Sequence, residues 1–266
     1  MPLRTLIVNR KSLIVFAVLL SLITLHFTLT FAATPLDTAQ SDYNFQFSKY
    51  QEFQEKFISA KSNYQTFKTA TAKDQAFTAS RGYVNQAINV YLAYFSLVQE
   101  YGNSLNWQGV STFSNVTQTI NDIKNTYLQA RQTVSTSQTL EDVDKNASDL
   151  AIAQTTAIDP RLYWILSVYE LQKTFNLMDD FNSFAEMLSQ KESNFAKSNI
   201  LSSWQTDVET IRKNAQTQLN IASTKINATN GKAEEGTLKE TISRTQNARN
   251  EILKSKKLFF EAAKLF

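Results

Sequence analysis

The stretch Phe113–Val134, FSNVTQTINDIKNTYLQARQTV, decides the fold class. Phe113, Val116, Ile120, Ile123, Tyr127, Ala130 and Val134 recur in alternating steps of three and four residues. That spacing lines them along one stripe of an α-helix, because side chains three and four apart share a face. Most positions between them are Ser, Thr, Gln and Asn, so the opposite face is solvated. A seam of this kind belongs to a helix packed against others in a bundle.

The same pattern extends in both directions. Upstream, Tyr43, Tyr50, Phe57 and Tyr64 recur every seven residues, with Phe53, Ala60 and Phe67 three further on. This predicts a first helix, preceded by a short linker at Thr34–Gln40 that carries Pro35. Thr71-x-x-Asp74 reads as a capping box opening a second helix, in which a side-chain oxygen and an acid satisfy each other's backbone amides. That helix carries Val84, Ala87, Ile88, Tyr91, Tyr94, Phe95 and Val98 and is expected to end at Gly102. Gly102–Gly109, GNSLNWQG, reads as a loop.

Downstream, Ser135–Gln138 breaks the pattern, and a shorter helix follows with Leu140, Val143, Ala147 and Leu150. Asp159-Pro160 is a helix start, with Asp159 as cap and proline at the first position, where its missing N–H costs nothing. Leu162, Ile165, Leu166, Tyr169, Phe175, Met178, Phe181, Ala185 and Leu188 then form an apolar face. After a pause within Lys191–Asn199, a sixth helix uses Trp204, Val208, Ile211, Ala215, Leu219, Ala222 and Ile226, and Asn230-Gly231 stops it. A last helix runs from Leu238 through Ile242 and Ile252 to Phe259.

Glycine occurs five times and proline three times in 266 residues, so little interrupts these helices. No segment alternates with period two, and no solenoid-like repeat emerges. The expected fold is all-α: an elongated antiparallel bundle of about seven long amphipathic helices with coiled-coil-like seams. It covers residues 34–266, as one bundle or as two with a sub-boundary near Asp159.

Residues 1–33 differ in kind. Leu13–Phe31 is uncharged and mostly apolar, behind Arg4, Arg10 and Lys11. One reading is a signal peptide with Leu13–Leu25 as its apolar region and cleavage after Ala32. The other is an uncleaved anchor over Leu13–Ala33, long enough to span a hydrocarbon core of about 30 Å. Basic residues on its N-terminal side keep that end inside. Both readings place the remainder outside the cytoplasmic membrane, secreted or anchored. The polar residues Thr24, His26, Thr28 and Thr30 favour cleavage slightly.

The net charge is +3, and Arg4, Arg10 and Lys11 account for it: the other 24 Lys and Arg equal the 24 Asp and Glu. A neutral exported part is a poor nucleic-acid binder, which would need a basic footprint. There is no cysteine, and His26 is the one histidine. Thiol chemistry, iron–sulfur clusters and a Ser-His-Asp triad in the exported part are therefore excluded. G-x-x-x-x-G-K-[ST], G-x-G-x-x-G and G-x-S-x-G are all absent.

The remaining motifs point to structure more than to chemistry. Asp142-x-Asp144-x-Asn146 begins like a calcium loop, but Ala147 stands at the glycine position and Ala153 where a bidentate glutamate is needed. Asp179-Asp180 are neighbours on a helix and diverge by about 100°, with Glu170 and Glu186 too distant along it to join them. Phe45 and Phe47 beside the first seam, and Tyr94 and Tyr101 on the second helix, widen an apolar face or offer a partner surface. The last helix carries Lys239, Arg244, Arg249, Lys254, Lys256, Lys257 and Lys264 against Glu240, Glu251 and Glu261. Its basic, phenylalanine-rich end would suit an anionic membrane or a helix dipole. Sequons occur at Asn115, Asn146 and Asn227.

The sequence thus leads to an exported, non-enzymatic protein with a structural or protein-binding role at the cell envelope. No catalytic, cofactor-binding or metal-binding residue is assigned, and no cofactor. Expected partners are the membrane, if the leader stays, and another protein or a second copy. The alternative is an extracytoplasmic sensor or small-ligand-binding bundle acting through a partner. A carboxylate-based enzyme ranks last.

Overall fold

The computed structural model describes residues 33–107, 113–192 and 198–263. These are helical apart from short connections, and none of them is in a strand. The leader through Ala32, Gly109, and the side chains of Phe113, Leu188, Lys257, Phe259 and Lys264 lie outside what is described. In chain order the helices are α1 (Pro35–Phe67), α2 (Ala70–Ser104), α3 (Phe113–Thr136), α4 (Leu140–Ala153), α5 (Asp159–Glu192), α6 (Ser198–Asn227) and α7 (Glu235–Ala263). No helix among the described residues is long and apolar enough to cross a membrane.

The decisive seam behaves as its spacing requires. Val116, Ile120, Ile123, Tyr127 and Val134 of α3 are all fully buried, and Ala130 is half-buried. On α1 the seam holds at Tyr43, Tyr50 and Phe57 and then fades, leaving Phe67 65% exposed.

Four local expectations are corrected. The linker Thr34–Gln40 is helical from Pro35 onward. Thr34 is the cap: its hydroxyl accepts from Asp37 N at 3.1 Å, and Asp37 Oδ2 accepts from Thr34 N at 3.0 Å. Proline at the first helical position therefore opens α1 where it seemed to delay it. Thr71 lies inside α2, and Thr69 is its cap, accepting from Ala72 N at 3.2 Å. Gly102 does not end α2 but is buried in its last turn. Finally, α5 begins at Asp159 as expected, but Asp159 is inside the helix and does not cap it. No loop precedes it: a π-helical turn, Gln154–Ile158, joins α4 directly to α5, a local widening of one helical turn.

The chain divides into two compact units. The first is residues 33–104 with Thr117–Thr156; the second is Leu105–Val116 with Ala157 onward, as far as they are described. In the first unit α1 and α2 form an antiparallel hairpin, paired through Gln86 Nε2 to Gln46 O (2.9 Å) and Asn63 Nδ2 to Gln75 Oε1 (3.3 Å). Gly82 makes the hairpin close, because a Cβ there would stand 2.9 Å from the ring of Phe53. α3 returns along α2 through Lys124 Nζ to Ser96 Oγ (3.2 Å) and Arg131 Nη1 to Asn89 Oδ1 (3.3 Å). α4 packs on α2, with Lys73 Nζ donating to Glu141 Oε1 at 3.4 Å, and Asn146 Nδ2 donates to Ser137 Oγ in the α3–α4 connection at 3.0 Å.

In the second unit α6 runs antiparallel to α7, with Arg244 Nη1 donating to Gln218 Oε1 at 3.0 Å and Lys225 paired to Glu240. α5 is buried on every side between Trp164 and Gln172. A helix apolar around its circumference must be surrounded by others or by loops. Here Trp107 packs edge-on against Tyr169, and Gln172 Nε2 donates to Asn106 O at 2.7 Å. Ala233 N donates to Pro160 O at 2.8 Å, tying the α6–α7 connection to the start of α5.

Candidate functional site

Three places concentrate side chains that could carry function: an aromatic core and an open groove in the first unit, and a buried charged cluster in the second. The aromatic core follows from the seven-residue repeat of α1 meeting the apolar face of α2. Phe57 stacks on Tyr83 at 5.0 Å between centroids, Tyr50 lies 5.2 Å from Tyr83, and Tyr91 stacks on Tyr127 at 5.0 Å. The hydroxyls of Tyr50 and Tyr83 are 2.6 Å apart and share one hydrogen bond. Burial holds both phenols above their usual range, and pushes Tyr43 up to about 12. Tyr127 OH donates to Gln154 in the π turn. The rings occupy one another's faces, so this is core.

The groove lies at the end of the α1–α2 hairpin, open to solvent, with a volume of about 990 Å³. Ile58, Ala60, Phe67 and Ala79 supply its apolar surface, and Glu55, Lys56, Ser59 and Asn63 are among its polar lining. Ile58 is 58% exposed and Phe67 65% exposed. Phe67 is exposed at the very end of the α1 seam, where Lys68, in left-handed geometry with φ 51°, turns the chain; Ile58 lies outside the seam, next to buried Phe57 in the chain. Phe45, also expected to widen the face, is exposed on α1, with Lys49 Nζ 6.0 Å from its ring centroid. Phe47, Tyr94 and Tyr101 belong to the packed face.

The charged cluster was not legible as a site. Glu170 on α5 is 5% exposed, and Arg249 Nη2 on α7 donates to its Oε2 at 2.6 Å. Arg249 Nε donates to Thr174 Oγ1 at 3.1 Å, and that hydroxyl donates to Glu170 O at 2.9 Å. Lys173 next to them has its ammonium held below the usual range by burial, with Glu170 opposing that shift and Arg249 adding to it. Glu170 therefore does not lie on a solvated face of its helix. The signal was present: an acid within LYWILSVYELQ, a run apolar on all sides, needs a cation from elsewhere. Its hydrogen bonds are filled by its own neighbours, so the cluster fixes helix packing rather than presenting charge.

The other sequence candidates do not come together. Asp142 is the third residue of α4 and caps it, accepting from Thr139 N at 3.0 Å; the Thr139 hydroxyl bond lowers its carboxyl pKa. Asp144 is half-buried, and desolvation raises its pKa against the pull of Lys61. Asn146 bonds Ser137 instead, and Ala147 is core. All three acidic and amide groups sit on a helix where the motif would require a loop. Asp179, Asp180 and Glu186 are exposed. Among the described residues no three His, Asp or Glu side chains are grouped to hold a metal.

On α7 the basic residues are largely paired: Lys239 with Glu235 at 2.9 Å, Lys254 with Glu251 at 2.6 Å, and Arg249 inward. Among the described residues Lys256 is exposed; the remainder of the basic, phenylalanine-rich end, Lys257, Phe259 and Lys264, lies outside them. Asn115 and Asn227 are exposed, whereas Asn146 is half-buried.

No family model, curated protein or solved structure matches this chain.

Proposed function

We propose that this is an exported, non-enzymatic helical bundle with a protein-binding or structural role at the cell envelope, working through the groove at the tip of its α1–α2 hairpin. The supporting observation is the pair Ile58 and Phe67, each more than half exposed beside a groove with a polar rim. Large apolar side chains at the centre of a polar-rimmed patch are the usual composition of a protein contact. The antiparallel seams and the basic, leader-like N-terminus complete the reading: a helical protein carried across the membrane, secreted or held there.

The alternative, a sensor or small-ligand bundle, would place a ligand among the tyrosines. Those rings already stack on each other at 5.0–5.2 Å, which favours the protein-binding reading.

The test places a photo-crosslinking side chain at Ile58, at Phe67 or at Asn121 on the solvated face of α3, in intact cells. Discrete adducts from the first two and none from Asn121 support the groove. Equal labelling from all three, or none from any, removes it. A reporter active only outside the cytoplasm, fused after Phe266, tests export separately.

A further inference from the structure

We propose that Asn230 is a site of spontaneous covalent modification, converting to aspartate and isoaspartate in the folded protein through its neighbour Gly231. Asn230-Gly231 is the one Asn-Gly pair in the sequence. It lies in the turn after α6, where Asn230 has φ 49° and Gly231 φ 80°. Glycine is required there, because a side chain is strained at that φ.

Three features leave the reaction open. Asn230 is exposed. A Cβ built on Gly231 would meet nothing within 4 Å, so the backbone stands clear of its surroundings. The turn's backbone hydrogen bonds use Thr229 N, Lys232 N and Ala233 N, and Gly231 N is not among them. By contrast, Asn103-Ser104 and Asn182-Ser183, each followed by a small residue, lie within α2 and α5. There the following N–H is engaged in the helix.

The chemistry balances with water alone. Gly231 N loses its proton to solvent base and attacks Asn230 Cγ. A C–N bond forms, the bond to the side-chain nitrogen breaks, and ammonia leaves with a proton from water. Water then opens the five-membered imide. Cleavage at Cγ restores the ordinary chain as aspartate, and cleavage at the backbone carbonyl leaves the chain running through the side chain.

Both products act on the α6–α7 connection. A new carboxylate appears at the negative end of the α6 dipole, where it is disfavoured. The isoaspartyl link adds a methylene to a turn whose next anchor is Ala233, 3% exposed and bonded to Pro160 O at 2.8 Å. The turn should loosen and expose Lys232 to protease.

The purified, folded protein is incubated at mildly alkaline pH and its peptides are mapped for isoaspartate, with a denatured sample in parallel. Asn230 should convert several-fold faster than Asn103 or Asn182, at a rate that rises with pH. Trypsin cleavage at Lys232 should increase in step, and Asn230→Gln should abolish that increase. Survival of native Asn230 over a period that converts it in the denatured chain would overturn the proposal. So would conversion of Asn103 or Asn182 at the same rate, or cleavage at Lys232 that rises equally in Asn230→Gln.

Discussion

At the scale of single residues, what matters is whether a buried group finds its partner. Ile123 is fully buried in the seam of α3. Ile123→Ala should cost about 2–5 kcal/mol in chemical denaturation, from lost transfer and the cavity left behind. Asn121→Ala on the exposed face should cost little, and equal losses would mean that the seam is misassigned. Glu170 poses the opposite case. Arg249→Met alone strips the buried carboxylate of its hydrogen-bonded cation, Arg249 Nη2 at 2.6 Å, and should cost about 3–5 kcal/mol. Replacing both, Glu170→Leu with Arg249→Met, should recover most of that loss, because the pair's attraction largely offsets its desolvation. A double variant as unstable as the single would show that the ion pair contributes more than specificity. Asp144 is gentler. Burial raises its pKa above the unfolded value, so the native state binds its proton more tightly. Its contribution is fully present below the unfolded pKa and lost as pH rises through the folded one. Asp144→Asn should therefore raise the melting temperature near neutral pH and have no such effect in acid.

At the scale of helices, the seams made of hydrocarbon were readable and those made of hydroxyls were not. α3 announces itself because its stripe is Val, Ile and Tyr against Ser, Thr and Gln. α7 has an equally regular stripe, Leu238, Thr241, Thr245, Ala248, Ile252 and Ser255, all buried and spaced three and four apart. Half of it is Thr or Ser, which reads as solvated surface. These hydroxyls can be buried because each donates to its own helix, Thr241 to Thr237 O at 2.8 Å and Thr245 to Ile242 O at 3.0 Å. A satisfied hydroxyl carries little desolvation penalty. The expectation is a contrast between two threonines. Thr245→Val loses only a bond within its helix and should change stability by no more than about 1 kcal/mol. Thr174→Val also strips Arg249 Nε of its acceptor and should be clearly more costly, because a buried charged donor is left unmade. Equal effects in thermal melts would refute this division of roles. The misread boundaries have a similar cause. Pro35 looks like part of a linker, yet it opens α1, and the helix expected to start afresh at Asp159-Pro160 is joined to α4 by a π turn.

At the scale of the whole molecule, the all-α class followed from periodicity alone, while the groove and the charged cluster depend on which helices meet, and that is not written in any one helix. Nothing in α1 by itself says that Phe57 is stacked while Phe67 is exposed; the difference is the presence of Tyr83 beside the first. The same meeting of helices makes stability depend on alkaline pH. Tyr43, Tyr50, Tyr83 and Tyr163 all have pKa values raised by burial, Tyr43 to about 12. In the unfolded chain each would ionise near its ordinary value of about 10. Above that pH the unfolded chain has released protons that the native state still holds, so stability falls as pH rises. Below it neither state has released them, and the contribution is complete. Helix content by circular dichroism should thus stay level to about pH 10 and then fall cooperatively, because three of these phenols, Tyr43, Tyr50 and Tyr83, belong to the aromatic core of the first unit. Tyrosinate absorbance should appear in two phases, an early one from exposed rings and a late one coincident with the loss of helix. Tyr50→Phe removes one of the ionisable pair and should move the late phase to higher pH. Smooth ionisation of all ten tyrosines with the helix signal intact would mean that these hydroxyls are open to water and the aromatic core is wrongly packed.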